Sequence, residues 1–370
     1  MAVMTRVLDA KVALDSLIAK SRAHLYKPMQ IAEILRKYRL NPEELNPLEL
    51  ETYRTQSKKW RDAVTSKLVG NVSTSSARFQ DNLFEENAIP PRILEVLAKE
   101  NNAKNGAIEA YIYTLFAKRL GSVSNSVNYC LSHDSSNFKL DEFMDSFWKE
   151  PGLKRSIDKV FECVVYALFS SIVEAIDAEI TLSYNTEKKF IIEEFEDFTK
   201  AVLNISVADT FFKTNGSVHR IGATNAADRG LDIWTNFGVI VQIKHLSLSE
   251  ELAEGICNSL TADRIVIVCK KADAKVIASL LNQIGWKSKI QSIITEDQLI
   301  QWYEKALRGQ YANLLSSKLL LNLQSEIQRE FPATLDDNFL NFYKERNYHL
   351  LPIDDLWLTE SGNAIIPESN

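Results

Sequence analysis

Cysteine is sparse in this chain: four residues in 370, each far from the others. Cys130, Cys163, Cys257 and Cys269 form no CxxC pair and have no histidines at metal-ligand spacing, so zinc-binding and disulfide-scaffold readings are set aside. Cys163 and Cys269 fall in apolar runs and read as buried, reduced thiols of a cytosolic protein. Glycine (12) and proline (9) are also few, which favours long helices over a turn-rich all-β fold. No apolar run approaches the ~20 residues that a bilayer span requires. The opening Met-Ala-Val-Met-Thr-Arg lacks the apolar core of a signal peptide, so a cytoplasmic protein without a membrane segment is expected. An excess of positive charge is missing too. The net charge of −6 argues against a protein that simply coats nucleic acid, though not against one that reads it locally.

The composition otherwise is that of a globular protein, 45% hydrophobic and 25% charged, long enough for two domains or one elaborated domain. Charge is unevenly placed. Residues 1–70 carry thirteen Lys/Arg against eight Asp/Glu, a local excess of five, so the remaining 300 carry −11 of the overall −6. A cationic segment beside an acidic remainder fits a protein that grips phosphates in one place and holds metal in another, although most single lysines sit on solvated helix faces. Helical periodicity runs through residues 6–38 with a break at Lys27-Pro28, and returns at 91–99, 106–119, 140–148 and 156–176, the last being the most apolar. Near residue 181 the pattern changes. A helix is expected over 190–204, with Ile191, Phe195, Phe198 and Val202 on one stripe. Two strands follow, then helices and apolar strands in alternation to about residue 310, the pattern of a mixed sheet covered on both faces. Three regions are expected: a mainly α-helical recognition and dimerisation region (1–180), a catalytic core (181–310), and a C-terminal helix and tail (311–370).

Residues 230–246 are the most chemically pointed stretch. They read as two short strands joined by a turn at Thr235–Gly238, with Asp232 on the first. Gln242 and Lys244, two apart on the second, project from one face with Ile240, while Val239, Val241 and Ile243 pack the other way. Hydrolysing a phosphodiester needs an activated water and a stabilised leaving alkoxide. Divalent metal held by a few carboxylate or carbonyl oxygens can support both. Asp232 would supply the carboxylate and the carbonyl of Ile243 a further oxygen, while Lys244 would orient or deprotonate water.

Asp232, nine intervening residues, then Gln242-Ile243-Lys244, in a strand–turn–strand–helix context, resembles the PD-(D/E)XK nuclease superfamily. The glutamine variant is similar to that of Mrr-type restriction nucleases. The resemblance implies an α/β (α+β) mixed-sheet nuclease core of that type, with a large α-helical N-terminal region and Mg2+ as cofactor. Because Gln242 is a neutral amide, a second acid is expected, and some members of the superfamily place one on the helix before the core strands. On a helical wheel over 190–204, Glu194 lies nearer the apolar stripe than Glu193, Glu196 or Asp197, with Asp228 as its rival. The segment from Lys20 to Leu35 also resembles the start of HaeII-like type II restriction endonucleases. That resemblance implies a homodimer cutting double-stranded DNA at a palindrome of the purine-GCGC-pyrimidine type. Lys20, Arg22, Lys27 and Arg78 are candidate DNA contacts. His245 should face away from Lys244, and His24 reads as a packing residue. A repair or junction-resolving nuclease, and a catalytically silent DNA-binding or scaffold protein, are the alternative readings.

Overall fold

The computed structural model describes residues 2–21, 24–70, 72–73, 80–150, 153–221, 231–260, 262, 264–282, 289–331, 337–352 and 354–358. The N-terminal region includes the helices α1 (Ala2–Lys20), α2 (Tyr26–Leu40), α3 (Arg54–Val69), α4 (Pro91–Ala103) and α5 (Ala107–Ser132). The break between α1 and α2 falls before Lys27-Pro28 and not at it. Leu25 turns the chain with φ of 47°, and Pro28 sits in the first turn of α2. There the missing N–H costs nothing, because no carbonyl lies one turn back to receive it. Leu14, Met29, Ile34, Leu97 and Phe116 are among the residues that fill the core of this region. The far end of the chain packs into the same core through α13 (Asp337–Glu345) and Trp357. Polar residues of the tail pair with buried acids of the helices there. Arg346 donates to Glu33 (Nη2 to Oε2, 3.1 Å), and the Tyr348 hydroxyl donates to Glu109 (2.7 Å). Burying those acids is tolerable only because they are paired.

A second core joins α6 (Leu140–Lys149) and α7 (Ile157–Ala175) to a five-stranded sheet. The strands are β3 (Val218–Arg220), β4 (Ile233–Thr235), β5 (Ile240–Leu248), β6 (Ile265–Ala272) and β7 (Ile290–Thr295), paired in chain order. β3, β4 and β5 run antiparallel, and β5, β6 and β7 run parallel. Each parallel step crosses over through a helix, α9 (Glu250–Ser259) and then α10 (Ala274–Asn282), as parallel pairing demands. Val239, Val241, Ile243, Val266 and Val268 face α7, α11 (Glu296–Arg308) and α12 (Ala312–Glu330). Ile265, Ile267 and Cys269 face the other way, against α9 and α10. The molecule is thus a mixed, mostly helical α+β fold. The boundary expected at residues 180 and 181 separates α7 from the sheet it packs on.

Between α7 and β3 the chain makes an excursion. A two-stranded ribbon, β1 (Glu179–Ser183) with β2 (Phe211–Asn215), frames the short helix α8 (Lys189–Glu194) and further helical turns to Leu203. The single helix expected over 190–204 is instead interrupted at Phe195, and its apolar stripe faces solvent. All four cysteines are buried, and no helix among the described residues is long and apolar enough to cross a membrane.

Candidate active site

The antiparallel pairing of β4 with β5 ends at Ile233 opposite Val241. One residue further, the main chain of Asp232 still bonds β3, its carbonyl accepting from the Ile221 N–H at 3.0 Å. Its side chain lies where β4 and β5 part. Asp232 Oδ2 accepts from the Ile243 N–H at 2.7 Å and from the Gln242 side-chain amide. The carboxylate takes over an N–H that the ladder no longer pairs, and this pins it against β5. Oδ1 has no hydrogen-bond partner among the described residues. Gln242 is 3% exposed, on the sheet face of Ile267, its register partner on β6, while Lys244 is half-buried. Lys244 is close enough to Asp232 for its charge to stabilise the carboxylate. Gly238, at φ of 85°, occupies the left-handed position of the turn that brings the two strands together, as expected.

A second carboxylate comes from the opposite layer. Glu162 lies on α7, buried between Phe161 and Cys163, and burial raises its pKa from 4.5 to about 7. The neighbouring charge of Asp232 pushes it up further, while Lys159 and Arg220 pull it down. Lys159 donates to both Glu162 oxygens, at 2.8 and 2.7 Å. Asp232 is itself raised, first by burial; the Ile243 N–H, Lys244 and Lys159 oppose the rise. Below them, Arg220 on β3 is almost wholly buried. It bonds Glu326 (2.7 Å) and Glu330 (3.0 Å) of α12 and lies 3.8 Å from Glu162.

Two carboxylates withdrawn from water, with their charged forms disfavoured, make a place where a cation is welcome. Among the described residues no three His, Cys, Asp or Glu side chains gather as a metal cluster. A cation here would therefore rest on Asp232 and Glu162, neutral oxygens such as the Ile243 carbonyl and the Gln242 amide, and water. That all-oxygen set suits Mg2+, which is commonly held by one or two carboxylates and keeps several waters.

The other residues singled out in the sequence lie elsewhere. Glu194 is exposed on α8, without hydrogen bond or ion pair to Asp232. Lys20 is exposed at the end of α1, and Lys27 is half-buried and donates to Asn82 Oδ1. Arg22, Arg78 and Asp228 lie outside the described residues. His245 faces away from Lys244 as expected, its ring packed on Phe161 (5.0 Å) and Trp148 (5.7 Å). His24 packs against Tyr26 and Phe331. Glu162 is absent from the sequence candidates, yet it carried a signal. An acid at the centre of the most apolar helix is expensive unless something in the fold answers its charge.

Comparison with known proteins places the chain. A family model described as HaeII restriction endonuclease matches residues 10–348. The type II restriction enzyme HaeII of Haemophilus aegyptius is 52% identical over 346 residues, 94% of this chain and 98% of that protein. The type II restriction enzyme NgoBI of Neisseria gonorrhoeae is 53% identical over 343 residues, 92% of this chain and 97% of that one. No solved structure matches. The chain belongs to the HaeII restriction endonuclease family.

Proposed function

We propose that this restriction endonuclease hydrolyses double-stranded DNA through a PD-(D/E)XK-type site, with Asp232 and Glu162 as the acidic pair, Gln242 as the neutral member and Lys244 as the basic one. The observation that carries this reading is the seating of Asp232 at the fork of β4 and β5, where the Ile243 N–H and the Gln242 amide hold it. The order of elements agrees: a helix bearing one acid (α7), then β3, β4 and β5 with the rest, then α9 and β6. In this arrangement Glu162, not Glu194, answers the need for a second acid.

The chain's own groups divide the work. Asp232 and Glu162, with the Ile243 carbonyl, would hold Mg2+, which when bound supplies charge to offset that developing on the phosphate and lowers the pKa of coordinated water. Gln242 keeps the Asp232 carboxylate in one orientation. Lys244 orients or deprotonates the attacking water and offsets negative charge as the phosphorus gains its fifth oxygen. Lys159 neutralises Glu162 when no other cation does. Lys20, Arg22, Lys27 and Arg78 remain the proposed DNA contacts, and the proposed target remains a palindrome of the purine-GCGC-pyrimidine type.

A palindrome is read with two-fold symmetry, so the working unit is proposed to be a homodimer. The ribbon and helical turns between α7 and β3 offer the surface. Phe190, Phe195, Phe198 and Phe211 are each more than half exposed, as are Ile176 and Val202, and Ile191 is exposed too. A two-stranded ribbon is marginal in water without cover, and a second copy of the same arm supplies it.

Digestion of a plasmid of known sequence, in Mg2+ and in EDTA, tests the activity. Discrete fragments with ends mapping to one palindrome are expected with Mg2+ only. Smearing, or cutting confined to branched substrates, would oppose the reading.

A further inference from the structure

Near the proposed site lies a group of positive charges with no counter-ion among the described residues. Trp148, at the end of α6 and 38% exposed, carries two ammonium groups over its ring: Lys270 at 3.8 Å and Lys154 at 4.2 Å from the centroid. Neither lysine forms an ion pair with an acid among the described residues. The acids nearest in sequence are engaged or turned elsewhere. Asp145 pairs with Lys149 at 2.7 Å, and Glu150 accepts from Ser122 at 3.1 Å. Asp158, one turn after Lys154, bonds neither lysine. An indole face attracts each cation separately, but two ammonium groups gathered on one ring still repel each other. A bridging anion relieves that repulsion.

The group lies on the α7 side of the sheet, the side of Glu162, and across the sheet from the face to which Gln242 and Lys244 project. Trp148 packs on His245, the residue after Lys244, with ring centroids 5.7 Å apart. Lys270 follows Cys269, the register partner of Lys244 on β6. Lys154 lies in the single turn before α7, the helix of Lys159 and Glu162.

We infer that Trp148, Lys154 and Lys270 form a clamp for a backbone phosphate of the DNA strand, beside the phosphate that is cut. The inference rests on the nuclease reading and assigns it contacts that the sequence did not single out. The ring holds the lysines before DNA arrives, so less side-chain freedom is lost on binding. A backbone contact of this kind strengthens binding to any sequence alike.

The test measures the affinity of the full-length protein for its target duplex and for an unrelated duplex across a salt series. It compares wild type with Lys154→Gln, Lys270→Gln, the double variant and Trp148→Leu, with near-UV circular dichroism as the check on folding. Each lysine change is expected to lower the slope of log K against log salt by about 1, and the double variant by about 2, on both duplexes. At 0.1 M salt the double variant should bind roughly 50-fold more weakly. Trp148→Leu keeps both charges and should retain the slope while losing a smaller part of the affinity. A folded double variant with the wild-type slope overturns the clamp but leaves the nuclease reading standing, provided wild type still cuts in Mg2+. Loss confined to the target duplex also overturns it, because that result marks base reading. A wild-type protein that neither binds nor cuts DNA overturns both.

Discussion

Replacing Glu162 with glutamine should make the metal-free protein more stable at alkaline pH while disabling it. The folded protein raises the pKa of this acid from 4.5 to about 7, chiefly by burial, with Asp232 adding repulsion. An acid whose pKa is higher in the folded state holds its proton more tightly there. Folding is therefore favoured at low pH, and stability declines as pH rises from about 4.5 through about 7. That interval corresponds to about 3 kcal/mol at 1.36 kcal/mol per pH unit. Glu162→Gln keeps the shape and removes the ionisation, so at pH 8 it should recover up to that amount. The gain is a ceiling, because Lys159 loses its partner. Arg220 keeps Glu326 and Glu330. Toward pH 5, where wild-type Glu162 is protonated in the folded state, the two proteins should converge. Urea unfolding in EDTA at pH 5 and pH 8 measures the difference, and plasmid cleavage in Mg2+ should fall by at least about 100-fold. A variant less stable than wild type at pH 8 that still cuts at the normal rate would refute both the burial argument and the assignment of Glu162.

Other outcomes follow from the same geometry. Lys244→Ala should abolish cleavage while leaving duplex affinity nearly unchanged; full activity would discard the site. Mg2+ should raise the melting temperature of wild type at pH 8 but have little effect on the double variant Asp232→Asn with Glu162→Gln, and an equal rise in both would place the cation elsewhere. Phe195→Glu with Phe198→Glu should convert a dimer into a folded monomer by sedimentation equilibrium, and an unchanged dimer would move the interface off the arm. Arg220→Met leaves buried Glu330 without a cation, and leaves Glu162 and Glu326 only Lys159 and Arg329. It should cost about 3–5 kcal/mol in denaturant unfolding, and a loss under 1 kcal/mol would show that water already reaches them.

The sheet was legible because its signals are local. The turn at Thr235–Gly238, the alternation through Val239, Val241 and Ile243, and the apolar run of β6 each follow from residues adjacent in the chain. The signals of Asp232, Gln242 and Lys244 are local in the same way, and the structure brings Asp232 and Gln242 into hydrogen-bond contact. β3 was not seen, since three residues give no period to read. The helix expected to present Glu194 reads as core-facing because amphipathicity ordinarily marks packing. The stripe of Phe195, Phe198 and Val202 satisfies the rule for a core-facing helix, yet it faces solvent on a protruding arm. A single chain cannot distinguish a stripe meant for its own core from one meant for another surface. Glu162 had the opposite appearance: it sat in an apolar helix and looked like an interruption. The charges it meets in the fold, Asp232 and Arg220, lie 70 and 58 residues further along the chain.

The position of Glu162 also bears on how the two halves of a dimer could act together. The site draws on two layers: β4 and β5 hold Asp232, Gln242 and Lys244, while α7 holds Glu162. The registration of α7 against the sheet is fixed from below by Arg220, which ties β3 to α12 and lies beside Glu162. The exposed arm leaves the end of α7 and returns into β3, so both of its roots belong to elements that carry site charges. A force applied to the arm is therefore borne by α7, which carries Glu162, and by β3, which pairs with β4 next to Asp232. Covering the arm with a second copy would restrain that spacing in both subunits at once. On this argument a dimer would do more than present two sites to a palindrome. It would steady the half of each proposed site that the sheet itself does not hold.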